Sequence, residues 1–149
     1  MKTHLLLIIA CISLHMYAQK KLKTKYTEEK GSHMIFNENI IELAKKNTFY
    51  RKEMVTGSHS QLVLMSIPVG EEIGIEVHKV DQTLIFVQGK GQAIINDVVS
   101  DVFPNHLVFV PAGARHNFKN IGSEALKLFT IYAPAQHKPG TIEKEKSKY

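Results

Sequence analysis

The stretch GEEIGIEVHKVDQTLIFVQG, residues 70–89, decides how this chain is read. Glycines bracket it, and two short runs inside it, Gly74 to His78 and Thr83 to Gln88, are rich in the β-branched and aromatic residues of strands. Glu76, His78 and Gln82 stand at i, i+2 and i+6 across a strand, a turn and a strand. A strand repeats every two residues, so Glu76 and His78 share one face. Asp81 falls on the opposite parity from Gln82 and reads as a solvated turn residue.

Outward from this stretch the strand pattern continues. Tyr50 to Val55, Gln61 to Ile67, Gln92 to Asn96, His106 to Val110, Phe118 to Asn120 and Leu126 to Tyr132 are short, rich in β-branched and aromatic residues, and punctuated by Gly, Pro, Asn and Asp. Asn96-Asp97 and Pro104-Asn105 are turn signals. Many short strands with no long helix between them predict an all-β antiparallel sandwich or barrel. One helix is expected ahead of them, from Glu38 to Lys46, with Asn37 as its cap and Ile40, Ile41, Leu43 and Ala44 turned inward. A second stretch, NHLVFVPAGARHNFKN at residues 105–120, places His116 after a Pro/Gly turn, delivered from a separate hairpin.

The two stretches together resemble the paired motifs of the cupin superfamily. The first motif, Gly-x5-His-x-His-x3-Glu-x6-Gly, is met by Gly70, Glu76, His78, Gln82 and Gly89. The second, Gly-x5-Pro-x-Gly-x2-His-x3-Asn, is met by Asn105, Pro111, Gly113, His116 and Asn120. The resemblance covers about Arg51 to Pro134 and is similar in layout to the small single-domain, mannose-6-phosphate-isomerase-like cupins. It implies a double-stranded β-helix, that is, a jelly-roll barrel, holding one divalent metal ion on Glu76, His78, Gln82 and His116. Three positions depart from the pattern: Glu76 replaces His, Gln82 replaces Glu, and Asn105 replaces Gly. Asn tolerates the left-handed backbone that Gly usually supplies. The implied ligand set is two imidazoles, one carboxylate and one amide, with the carboxylate in effect moved from position 82 to 76. Such a mixture of nitrogen and oxygen donors suits Mn, Fe, Co, Ni or Zn better than Mg or Ca, which prefer all-oxygen shells.

The ends read differently from the middle. Met1-Lys2, the apolar run Leu5 to Leu14 and the small Ala18 have the layout of a signal peptide over residues 1–18, too short to span a bilayer. An exported protein, periplasmic or secreted, is the expectation. Lipidation at Cys11 is the lesser alternative, because the apolar run continues past it. With cleavage after Ala18 no cysteine remains, which excludes disulfide scaffolds and thiolate chemistry. Residues 19–34 read as a disordered basic leader, 35–137 as the cupin domain and 138–149 as a flexible tail. Residues 19–30 carry five lysines against two glutamates and residues 138–149 carry four against two, whereas residues 31–137 hold nine basic against ten acidic groups. The net charge of +5 therefore lies in the ends, and no basic face for nucleic acid is visible.

Around the implied site, His59, Gln61, Tyr132 and His137 are candidate pocket residues for a small-molecule ligand. Arg51, Arg115 and Lys127 are candidate partners for an anionic one, though such a residue is more often a surface charge paired with a neighbour. Two function classes remain open: a metal-dependent enzyme of oxygenase or isomerase type acting on a small polar molecule, and a non-catalytic module that captures a sugar, a hydroxy acid or the metal itself. An open-edged small barrel also predicts a homodimer.

Overall fold

The computed structural model describes residues 35–147; the expected signal segment 1–18 and leader 19–34 lie outside them. Among the described residues, the unit that carries the helix and the strands begins at Glu38.

The helix, α1, spans Ile40–Lys46, shorter than expected and capped by Asn39 rather than Asn37. The Asn39 side chain accepts a hydrogen bond from the Glu42 amide at 3.2 Å, satisfying a donor that the first turn leaves free. Ten strands come after it: β1 Arg51–Thr56, β2 Gln61–Ile67, β3 Glu76–Val77, β4 Asp81–Gln88, β5 Gly91–Ile95, β6 Val98–Val102, β7 Leu107–Val110, β8 Arg115–Asn120, β9 Leu126–Ala133 and β10 Ile142–Glu143. They form two antiparallel sheets, of order β10-β1-β2-β9-β4-β7 and β3-β8-β5-β6. The all-β class and jelly-roll arrangement expected from the sequence are what the chain adopts.

The core lies between the sheets. Val63, Met65, Ile67, Leu84, Phe86, Leu126 and Leu128 meet Ala93, Val102 and Phe118, all buried. Each large side chain removed from water here contributes about 1.5–3 kcal/mol. A smaller cluster forms on the outer face of the six-stranded sheet, where Ala44, Leu43 and Ile40 of α1 cover Leu64, Val87 and Phe129. Helix α1 is thus stabilised by packing rather than by its own seven residues.

Two strands depart from the expected set. β6 is the second arm of a hairpin whose turn, Asn96-Asp97, has φ of 47° and 66° at successive residues. That conformation favours Asn and Asp and matches the twist of paired strands. β10 falls in the segment expected to be a flexible tail. It pairs with β1, placing Arg51 opposite Glu143 and Lys52 opposite Ile142. Backbone bonds from Glu53 N–H to Thr141 O at 2.8 Å and from Tyr50 N–H to Lys144 O at 3.2 Å hold it. Lysine-rich composition hid a two-residue strand that depends on its partner, not on its own apolar pattern. Among the described residues no helix is long and apolar enough to cross a membrane.

Candidate metal centre

Register places the site. In the four-stranded sheet Glu76 of β3 lies opposite His116 of β8, and His116 lies opposite Ile95 of β5. In the six-stranded sheet Gln61, Tyr132 and Gln82 form one row across β2, β9 and β4. Cross-strand partners point to the same face, so Glu76 and His116 share a face of one sheet and Gln82 and Tyr132 share a face of the other. His78 follows β3 two residues after Glu76, and its ring stands 4.8 Å from that of His116 and 5.5 Å from that of Tyr132, edge-on in both cases.

One ligand atom each from Glu76, His78 and His116 lies within 4.8 Å of the others. Their hydrogen bonding fits a cation. His116 Nδ1 stands 2.9 Å from Ala114 O, a carbonyl that can only accept, so Nδ1 carries the proton and Nε2 presents a lone pair. That Nε2 is buried without a hydrogen-bond partner, as are His78 Nδ1 and Gln82 Oε1. A buried acceptor left unpaired costs free energy, and a metal ion held beside Glu76 would give His116 Nε2 a partner. A backbone carbonyl fixing the distal imidazole nitrogen is also the usual outer-shell support of a metal-bound histidine.

Charge supports the same fit. Burial pushes the Glu76 carboxyl up, but the His78 hydrogen bond and charge and the Arg51 guanidinium outweigh it, so the group is held below its ordinary range. Burial lowers His116, against the Ala114 hydrogen bond that raises it, and the net direction is down. Glu76 therefore stays anionic and His116 neutral, the forms that bind metal.

The expected residues divide cleanly. Glu76, His78 and His116 come together as the resemblance implied. Gln82 lies 1% exposed in the facing sheet, its Nε2 donating to Tyr132 Oη at 3.1 Å and its Oε1 unpartnered. The Tyr132 ring stands 5.5 Å from that of His78, and the His137 ring 5.0 Å from that of Tyr132. Burial drives the Tyr132 phenol well above its ordinary value, so it stays protonated. Gln61 ties the chain together instead of facing a ligand. Its Nε2 donates to Thr56 Oγ1 and to His137 O at 2.8 Å each, and its Oε1 accepts from His137 N–H at 2.9 Å. His59 does not join the pocket. It sits exposed in the loop between β1 and β2, where the tight turn carries its side chain into solvent. Asp81 is exposed and accepts from the Ala112 amide at 2.9 Å, bracing the turn that leads to His116.

Sequence reasoning passed over one contact. Arg51, read as a partner for an anionic ligand or as a paired surface charge, donates to Glu143 at 2.8 Å and to Glu76 at 3.5 Å from a largely buried position. No local pattern signals this, since Glu143 lies 92 residues away.

Residues 63–132 match the family model described as the cupin domain. Over 116 residues the chain is 39% identical to YrkC, an uncharacterized protein of Bacillus subtilis, covering 73% of this chain and 62% of that one. The chain thus spans less than two thirds of that relative's length. The solved structure of BH2720 from Bacillus halodurans superposes with a TM-score of 0.73 at 37% identity, covering 81% of this chain and 96% of that one. An RmlC-like cupin of double-stranded β-helix fold from Methanocaldococcus jannaschii superposes with a TM-score of 0.56 at 20% identity, covering 72% and 94%, a likeness of fold alone.

Proposed function

The chain belongs to the cupin superfamily, and we propose that it is a metal-dependent enzyme in which Glu76, His78 and His116 hold one divalent ion, Mn, Fe, Co, Ni or Zn. The observation that carries this is the His116 imidazole, whose outer nitrogen is fixed by Ala114 O and whose inner nitrogen is buried beside Glu76 and His78 with no partner. When bound, the ion would act as a Lewis acid or oxygen activator towards a small polar molecule, the chemistry of an oxygenase or isomerase.

Tyr132 stands beside His78, and Gln82 donates to Tyr132. Tyr132, kept protonated, can donate to an oxygen of the ligand, and Gln82 Oε1 can accept from one or hold a water. His137 stands edge-on against Tyr132. A second reading, capture without turnover, is favoured by the state of Glu143. This carboxylate reaches towards Glu76 through Arg51 and is occupied by that guanidinium, which leaves Glu76 as the acid or base inside the triad.

The N-terminal layout supports export to the periplasm or beyond, testable as an intact mass beginning at Gln19. The outer face of the six-stranded sheet supports a homodimer. Leu107, Phe109 and Ile131 are 62%, 53% and 38% exposed there, beyond the area that α1 covers. For the activity, oxygen uptake and sugar isomerisation by the metal-loaded protein against panels of catechols and sugars is the test. Turnover that vanishes in His116→Ala supports an enzyme; saturable binding without turnover supports the capture module.

A further inference from the structure

Arg51 opens β1, and its side chain is only 11% exposed. Its Nη1 meets Glu143 Oε2 at 2.8 Å, whereas its Nη2 meets Glu76 Oε1 at 3.5 Å. The longer contact is at the limit of a hydrogen bond, so Glu143 holds the guanidinium and Glu76 is its weaker neighbour. Glu143 reaches Arg51 because β10 sets the two residues opposite each other on one face. This strand lies outside residues 63–132, the part that matches the family model.

Resting on the metal-site reading, we propose that Glu143 is a positioning residue for the metal centre: it holds the Arg51 guanidinium off Glu76, leaving the Glu76 carboxylate free to take a cation. A guanidinium beside a metal-binding carboxylate competes with the metal twice. It occupies an oxygen lone pair, and its charge repels the incoming ion. Pairing with Glu143 reduces both effects. Glu76 Oε2 meanwhile stays directed at His78 Nε2, 3.3 Å away and inside the ligand cluster. Without the Glu143 charge, Arg51 keeps only Glu76 as an anionic partner in a largely buried place, where an uncompensated charge is costly. The guanidinium then closes on Glu76 and the cation loses its carboxylate.

The two members of the brace have opposite effects on a cation, and that separates this role from support of the fold. Loss of the Glu143 charge removes an attraction and frees Arg51 to compete. Loss of Arg51 removes the competitor. A purely structural pair would weaken binding from either side. β10 is also held independently, by Glu53 Oε2 accepting from the Gly140 amide at 2.8 Å and by the Glu53 to Thr141 backbone bond, so a change of head group at position 143 leaves the strand in place.

Calorimetric titration of Ni2+ and of Mn2+ into the metal-free chain tests this. Glu143→Gln should weaken binding roughly tenfold, the low end of what outer-shell partners contribute. Glu143→Asp, which keeps the charge, should restore affinity to within about threefold of the parent, and Arg51→Gln should tighten it. If Arg51→Gln does not fold, the Gln and Asp variants at position 143 decide alone. A Glu143→Gln chain that binds as tightly as the parent overturns the inference and leaves the metal site standing, as does an Asp variant as weak as the Gln one. A parent chain that binds neither ion removes both readings together.

Discussion

Glu76 of β3 and His116 of β8 are direct cross-strand partners. A carboxylate and an imidazole from two motifs, 40 residues apart by their numbers, therefore meet by sheet register and not by loop placement. Ligands carried on paired strands are held more precisely than ligands on loops. Only His78, just past the end of β3, depends on a turn, and that turn is pinned by its carbonyl accepting from the Gly113 amide at 2.7 Å.

Gln82 is the departure from the family pattern with the sharpest consequence. Its Oε1 is buried without a partner. Gln82→Glu places a negative oxygen there, which should tighten divalent binding by roughly tenfold. In the metal-free chain the same carboxylate is buried without a counter-ion, and stability should fall by roughly 1–3 kcal/mol. Tenfold tighter binding returns about 1.4 kcal/mol, so saturating metal should narrow the gap in melting temperature between Gln82→Glu and the parent; a gap that metal leaves unchanged would show that position 82 does not face the ion.

Gln61 separates support from site. Gln61→Ala leaves the His137 amide and carbonyl and Thr56 Oγ1 without the partners they now have, which should cost roughly 1–3 kcal/mol. Metal stoichiometry should be unchanged. Denaturant unfolding and metal analysis of the same preparation check both halves, and loss of metal from a folded Gln61→Ala chain contradicts the assignment.

His137 gives the metal-free protein a pH dependence. Burial, then the Arg51 charge, lowers it to about 4. The folded pKa is below the unfolded one, so as pH falls from about 6.5 the unfolded chain takes up the proton first. Stability should decline from there down to about pH 4 and then level off for this group. The full shift corresponds to about 3 kcal/mol, reduced to roughly 1–2 kcal/mol by solvent at its partly exposed position. His137→Phe should flatten the difference in unfolding free energy between about pH 7 and about pH 4; an unchanged slope would place the titration elsewhere.

The apolar outer face offers a test of assembly. Phe109 lies opposite Thr83, which lies opposite Ile131; Leu107 lies opposite Ile85 in the next row. Light scattering should give a dimer mass for the parent and a monomer mass for Phe109→Lys, with metal content intact in both. A monomeric parent contradicts the pairing.

Much of the fold and site was legible because the motifs encode backbone as well as chemistry. Gly70, Gly89 and Gly113 have positive φ, and so does Asn105 at 72°, the position where Asn stands for the pattern's Gly. At Gly89 a Cβ would also come within 2.8 Å of Ala125 O, so the residue is fixed by space as well as by φ. What stayed hidden depends on partners distant in sequence. β10 exists because β1 offers an edge, and Glu143 matters because Arg51 is there to receive it. His59 and Gln61, two residues apart, read alike as polar groups near a strand end, yet a turn separates one in solvent from one buried at 1% exposure. Composition does not report which side of a turn a side chain takes.

Whether Glu76, His78 and His116 hold one ion is tested most directly by elemental analysis of protein purified without a histidine tag, set beside His78→Ala and His116→Ala. One transition-metal ion per parent chain, lost from both variants while each still melts cooperatively, is the predicted result. A parent chain that carries and takes up no divalent ion, with His78→Ala melting at the parent temperature, would contradict it.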